Sequence, residues 1–137
     1  MNAVPAISLL LSRADTMARI LIIDDEEVKR LLLRDVIETM GHQITEAKDG
    51  SEGLQQYREH PADLVITDIV MPNQDGFEVI RELKEEYPEV RIVVETASDE
   101  DGEKGWLELA SIFGVHATLQ APFGRDDIIR AVNKALA

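Results

Sequence analysis

Acidic side chains follow two apolar, strand-like segments of this 137-residue chain. Asp24 and Asp25 come directly after residues 20–23 (ILII), and Asp68 follows residues 64–67 (LVIT). The carboxyl ends of parallel strands meet at one edge of an open α/β sheet, where ligands bind. We therefore expect the three carboxylates to converge, although they are far apart in the sequence.

Converging carboxylates require a cation. Two unit charges roughly 4 Å apart repel by about 4 kcal/mol at a surface-like dielectric constant. Oxygen ligands select hard ions, and Mg²⁺ (or Mn²⁺ in its place) needs only one or two carboxylates. An exposed Asp beside such an ion can attack phosphorus and form an aspartyl phosphate. For Asp24 or Asp25 taken alone, the alternative role is the N-cap of the following helix.

Two further segments place polar groups near the same edge. Thr96 and Ala97 end the fourth apolar segment, where the hydroxyl can donate to a phosphoryl oxygen and Ala97 leaves room for backbone approach. Threonine is also common in strands for its shape alone, which is the alternative explanation. Residues 69–76 (IVMPNQDG) have the composition of a tight loop that can aim a backbone carbonyl at a metal.

Strand-like segments alternate with helical patterns from residue 19 onward. The strand-like segments are residues 20–23, 43–46, 64–67, 92–94 and 117–120. The helical patterns are Val28 to Ile37 with Gly41 as a stop, Ser51 as N-cap to His60, Phe77 to Tyr87, Trp106 to Phe113 closed by Gly114, and Ile128 to Leu136. Such alternation predicts an α/β fold with a parallel sheet and helices on both faces.

Composition limits the classes of function. The net charge of -13 argues against direct nucleic-acid binding, which needs a basic surface. The absence of cysteine rules out disulfides and thiolate chemistry and permits an intracellular location. No apolar run is long enough to span a membrane.

Residues 1–17 are interpreted as an N-terminal extension. They are a disordered lead, a short added helix or a stretch upstream of a natural start at Met17. The apolar residues of this segment lack the basic start and the longer apolar run of a secretory signal. They are Ile7, Leu9, Leu10 and Leu11.

The order and spacing of four motifs resemble response-regulator receiver domains. These motifs are residues 20–26 (ILIIDDE), residues 63–76 (DLVITDIVMPNQDG), Thr96-Ala97 and Pro122-Phe123. The resemblance covers residues 18–137 as one receiver domain. It implies a flavodoxin-like (βα)5 fold whose five-stranded parallel sheet has the strand order 2-1-3-4-5.

The resemblance also implies a role for each matching residue. Asp68 corresponds to the phosphoacceptor and Thr96, next to Ala97, to the hydroxyl that follows the phosphoryl group when the domain switches. The implied Mg²⁺ ligands are Asp25 as the principal acid, Asp24 as the second acid, Asp68 itself and the backbone carbonyl of Val70.

The implied partners are proteins of a cytoplasmic two-component phosphorelay. A sensor histidine kinase or a phosphotransfer protein would donate the phosphoryl group, and an unidentified downstream partner would respond to the switch. The implied switching surface comprises the helix around Trp106 to Phe113, the fifth strand and the last helix. No membrane contact is expected, and a homodimer is left open.

Three positions depart from the family pattern. The lysine that usually precedes the proline after the fifth strand is Ala121, the usual switch aromatic is Thr118, and Glu95 replaces an apolar residue. Without the lysine, the pKa of Asp68 should rise or Asp68 should depend more on metal. Lys104, in the long segment after Thr96, is the hypothetical substitute.

Three functions remain in competition. The first is a phosphorylatable switch that catalyses only its own phosphotransfer and autodephosphorylation, and is not an enzyme toward other substrates. The second is a phosphorylation-independent interaction module, which Ala121 and Thr118 favour and the intact Asp24, Asp25 and Asp68 oppose. The third is a phosphatase with an aspartyl-phosphate intermediate, for which neither a general acid nor a substrate cap is visible.

Overall fold

The structure, a computed structural model, describes residues 17–69, 76–96 and 111–137. The strands are β1 (Arg19–Ile23), β2 (Gln43–Ala47), β3 (Leu64–Asp68), β4 (Ile92–Thr96) and β5 (Ala117–Gln120). The helices are α1 (Glu27–Thr39), α2 (Gly50–Glu59), α3 (Gly76–Glu86) and α4 (Arg125–Leu136), and residues 111–113 are also helical. The predictions made for Val70, Ala97, Lys104 and most of the N-terminal extension fall outside the described residues.

All five strands are parallel and form one sheet in the order β2-β1-β3-β4-β5. This confirms the predicted flavodoxin-like fold. The central strand β3 is buried over its whole length, as is expected for a strand covered on both faces. Because β1 and β3 are neighbours, the ends of these two strands lie side by side.

Apolar cores cover both faces of the sheet. On one face Ile20 and Ile22 pack with residues of α1 and α4, and on the other Leu21 and Ile23 pack with residues of α2 and α3. Burying a side chain of this size contributes about 1.5–3 kcal/mol. A slip of one residue would exchange the two faces, so the cores fix the register at which the strands end.

The helix ends confirm two expectations and correct one. Gly41 and Gly114 follow helical segments with φ of 93° and 71°, in the left-handed region that glycine tolerates best. The predicted N-cap Ser51 is wrong, because α2 begins at Gly50 and its N-cap is Asp49. The Asp49 carboxylate accepts a hydrogen bond from the Glu52 backbone amide at 2.8 Å, a position that Ser51, already inside the helix, does not have.

Gly76 holds the chain close to the end of β3. Its backbone amide donates a hydrogen bond to the Ile69 carbonyl at 2.6 Å. A Cβ atom at this position would collide with the carbonyl oxygen of Asp68. Gly76 is therefore needed for close backbone approach next to Asp68, beyond the turn chemistry expected of it.

The peptide bond between Ala121 and Pro122, just after β5, is cis. Among residues 17–69, 76–96 and 111–137, none of the helices combines the length and the apolar character needed to cross a membrane.

Candidate functional site

The carboxyl ends of β1 and β3 bring the three predicted acids together. Asp24, Asp25 and Asp68 each offer one carboxylate oxygen, and these oxygens lie within 4.8 Å of one another. Asp24 is fully buried, Asp25 is exposed, and the Asp68 side chain is 12% exposed. The cluster is therefore a shallow pocket with its deepest acid at Asp24 and an open side at Asp25.

Neither Asp24 nor Asp25 is the N-cap of α1, so the alternative considered for them is wrong. The N-cap residue is Glu26, whose side chain makes no capping hydrogen bond. Asp24 Oδ1 accepts a hydrogen bond from the Glu26 backbone amide at 2.8 Å. That bond fixes Asp24 at the bottom of the pocket and leaves its second oxygen, Oδ2, free to face the other charged side chains of the pocket.

The donor set of the pocket fits a hard divalent cation. Among the described residues, three carboxylate oxygens converge there, and Mg²⁺ takes oxygen ligands and is commonly held by one or two carboxylates. Asp24, Asp25 and Asp68 are the described residues that could hold it. The role predicted for the Val70 carbonyl is not tested, because Val70 lies outside the described residues.

Lys29, which the sequence interpretation missed, reaches into the same pocket from α1. Its Nζ atom donates a hydrogen bond to Asp68 Oδ2 at 2.9 Å. The same atom lies 3.4 Å from Asp24 Oδ2 and 3.8 Å from Glu26 Oε2. A signal was present in the sequence, because a helix that begins two residues after Asp25 brings its first turn to the same edge of the sheet.

The charges around Lys29 keep it cationic. Burial by itself would lower the pKa of Lys29, but the hydrogen bond to Asp68 and the charges of the neighbouring acids, with that of Glu95 present only when Glu95 is ionised, outweigh it and raise the pKa. The lysine therefore places one positive charge among the carboxylates at neutral pH.

Glu95 is a further acid in the wall of this pocket. It is paired with Asp68 in the β3–β4 register, only 1% of its surface is exposed, and its Oε1 lies 3.9 Å from Lys29 Nζ. With both acids ionised, Asp24 Oδ2 and the two Glu95 oxygens have no hydrogen-bond partner within the described part of the chain. A proton on Glu95 removes this conflict, because the carboxylic acid then donates to Asp24.

Burial is also the main reason why the pKa of Glu95 lies far above its usual range, and the Asp24 charge and the hydrogen bond to Asp24 raise it further. Burial likewise raises the pKa of Asp24, although the hydrogen bonds from Glu95 and the Glu26 amide oppose that rise. Hydrogen bonds hold the pKa of Asp24 down, whereas burial, the Asp24 charge and the hydrogen bond to Asp24 all raise the pKa of Glu95, so Glu95 is the acid that holds the proton.

The fourth and fifth strands border the pocket. Thr96 is the last residue of β4 and is buried, and its carbonyl accepts a hydrogen bond from the Ala121 amide at 2.8 Å. Thr118 is exposed on β5. Two departures from the family pattern therefore lie close together, with Thr118 on β5 and Ala121 just after it.

The comparisons with known proteins agree with this architecture. The profile of the response regulator receiver domain family matches residues 20–133. The chain is 33% identical to the chemotaxis protein CheY of Bacillus subtilis over 119 residues, covering 86% of this chain and 97% of that protein. It is 31% identical to sporulation initiation phosphotransferase F of the same organism, covering 86% and 93%.

Among solved structures, a response regulator receiver domain protein from Clostridium thermocellum superposes with a TM-score of 0.76 at 30% identity. The match covers 88% of this chain and 94% of that one. The chain therefore belongs to the response regulator receiver domain family of two-component systems. Receiver domains are in general signalling modules and not enzymes.

We predict that Glu95→Gln stabilises the metal-free protein at alkaline pH. The folded pKa of Glu95 is raised, so the unfolded chain loses this proton near the ordinary value of 4.5 while the folded protein must keep it. The contribution of Glu95 to stability is complete below that value and declines as pH rises toward the folded pKa. Glutamine keeps the shape and a donor for Asp24 without titrating.

Urea unfolding in a chelator-containing buffer checks this. The gain in the free energy of unfolding should exceed about 1 kcal/mol near pH 8, because one pKa unit corresponds to about 1.4 kcal/mol, and it should shrink toward about pH 5. Glu89→Gln, at an exposed glutamate, is the matched control and should show no such trend. A Glu95→Gln variant less stable than the unchanged protein at every pH would contradict a protonated Glu95.

Proposed function

We propose that Asp68 accepts a phosphoryl group with the help of Mg²⁺ and that this switches the interactions of the domain with partner proteins. The observation that carries the proposal is the approach of oxygens from Asp24, Asp25 and Asp68 to within 4.8 Å at the end of the two central strands. The domain proposed for this function spans residues 18–137, with residues 1–17 as an extension, and acts in the cytoplasm.

The residues of the pocket support the chemistry. A carboxylate oxygen of Asp68 attacks phosphorus, the new O–P bond forms, and the bond from phosphorus to the donor breaks with its electron pair leaving on the donor. A magnesium ion held by Asp24, Asp25 and Asp68, with the Val70 carbonyl as a further ligand, would neutralise the charge on the phosphoryl oxygens. The Thr96 hydroxyl, with Ala97 beside it, would receive one phosphoryl oxygen in the switched state. Autodephosphorylation would reset the domain.

A protein donor is supported by the surface next to the pocket. Val28, Leu31 and Leu32 are 79%, 49% and 40% exposed on α1, the helix that also carries Lys29. Residues three and four apart share one helix face, so these side chains form an exposed apolar strip. We propose that this strip seats the phosphohistidine-bearing helix of a sensor histidine kinase or phosphotransfer protein. The name of one relative, a phosphotransferase, fits such a partner.

A second candidate function is a phosphorylation-independent interaction module. It is favoured by Ala121 and by Thr118, which is exposed on β5 where the family carries a switch aromatic. In that case the fold and the apolar strip would still bind a partner protein, but Asp68 in the acidic pocket would not be phosphorylated. No contact with nucleic acid or membrane is proposed for either function.

We predict that the chain gains one phosphoryl group when it is incubated with Mg²⁺ and acetyl phosphate. Intact mass spectrometry measures the addition, and Asp68→Asn is the control because it keeps the shape of the side chain without the nucleophilic carboxylate. The proposal is supported if the unchanged protein gains a phosphoryl group and Asp68→Asn does not. If no addition occurs while calorimetry shows that Mg²⁺ binds, the interaction module is the better function.

We also predict that Leu31→Asp slows transfer from a phosphohistidine protein without slowing phosphorylation by acetyl phosphate. A charge in the apolar strip interferes with protein docking, and a loss of about tenfold in transfer rate is expected, since 1.4 kcal/mol corresponds to tenfold. Met17→Asp, at a 53% exposed side chain just before β1 and therefore at the opposite edge of the sheet, is the control. Equal transfer to both variants would refute the docking role of the strip.

A further inference from the structure

Lys29 lies where a phosphoryl group on Asp68 would need a positive charge. The family position for that charge, just before Pro122, is Ala121 in this chain. We propose that Lys29, from α1, replaces the missing lysine and holds the phosphoryl group during transfer to Asp68. This inference rests on the proposed function and adds a residue that the family pattern does not supply.

The contacts of Lys29 come from three separate elements. Its Nζ lies 2.9 Å from Asp68 Oδ2 at the end of β3, 3.4 Å from Asp24 Oδ2 after β1, and 3.9 Å from Glu95 Oε1 on β4. The Lys29 side chain is 26% exposed and that of Asp68 12%, so both side chains can be reached from solvent. A phosphoryl group that arrives at Asp68 from solvent therefore meets the Lys29 ammonium group.

Glu95 explains how the ammonium group is kept in the pocket. An apolar residue at this position, as the family pattern has, would place hydrocarbon beside the charge and penalise its partial burial. Glu95 instead presents a polar oxygen on the inner side, while its neighbour in register is Asp68 itself. The two departures Ala121 and Glu95 are thus complementary, since Ala121 itself supplies no charge after β5 and Glu95 supplies a polar wall for a cation on β4.

Lys29 assists the transfer of the phosphoryl group from the donor to Asp68. Asp68 attacks phosphorus, and with acetyl phosphate as donor the phosphorus–oxygen bond to acetate breaks, so that acetate leaves with the electron pair. Lys29 has three donor hydrogens and no acceptor. It can keep one hydrogen bond to Asp68 and give another to a nonbridging phosphoryl oxygen as negative charge accumulates there.

The test compares initial rates of phosphorylation by acetyl phosphate with Mg²⁺, followed by intact mass. Lys29→Met should slow the reaction by about tenfold or more, because a hydrogen bond to a charged group is worth at least that factor. Lys48→Met is the matched control, since Lys48 is an exposed lysine just after β2, at the same edge of the sheet, and its loss changes the net charge equally. Lys29→Gln, which keeps a neutral donor, is the second variant.

Rescue separates a role in transfer from a role in folding. Ala121→Lys added to Lys29→Met returns a lysine to the family position and should restore most of the rate. Suppose that Lys29→Met is slow and that adding Ala121→Lys does not restore the rate of phosphorylation. Lys29 then stabilises the pocket and does not assist transfer, which overturns the inference.

Two other results also overturn the inference. The first leaves the proposed function intact, and the second removes both. If Lys29→Met is phosphorylated as fast as the unchanged protein or faster, with tighter Mg²⁺ binding by calorimetry, Lys29 competes with the metal and does not assist transfer. If the unchanged protein gains no phosphoryl group at all, the proposed function fails and the inference fails with it.

Discussion

Carboxylates crowded at the end of a buried sheet are the constraint on which the rest of the structure depends. Asp24 and Glu95 are removed from solvent and Asp68 is largely so, and charges this close repel by several kcal/mol unless something offsets them. The offset has two parts in the protein itself. One is the proton that burial keeps on Glu95, and the other is the ammonium group of Lys29.

The fold makes this crowding unavoidable. Parallel pairing sets the ends of β1, β3 and β4 beside one another, and the apolar cores on both faces prevent any strand from slipping to relieve the repulsion. The cores therefore stabilise the domain as a whole while they hold an unfavourable cluster in place. Strain of this kind in an otherwise consistent fold is typical of a functional site.

The apolar runs predicted a parallel α/β sheet and the convergence of the three acids, because both depend on strand ends that such runs make visible. The strand order came from the resemblance to receiver domains. The sequence did not predict Lys29, since the reach of a long side chain across a pocket leaves no periodic pattern. Glu95 was visible only as a departure, because its partner Asp24 follows a different strand, β1, and is distant in the sequence. Ser51 was mistaken for the N-cap since Asp49, two residues earlier, offers the same chemistry and the helix began sooner.

The most direct measurement is a crystal structure of the protein with Mg²⁺ and beryllofluoride, a tetrahedral mimic of a phosphoryl group. We predict the mimic bonded to Asp68, with the ion held by the Asp24, Asp25 and Asp68 carboxylates and Lys29 Nζ within hydrogen-bonding distance of a fluorine atom. Asp68 without the mimic at saturating concentrations would contradict phosphoryl acceptance. The mimic on Asp68 with Lys29 turned to solvent would contradict the role of the lysine alone.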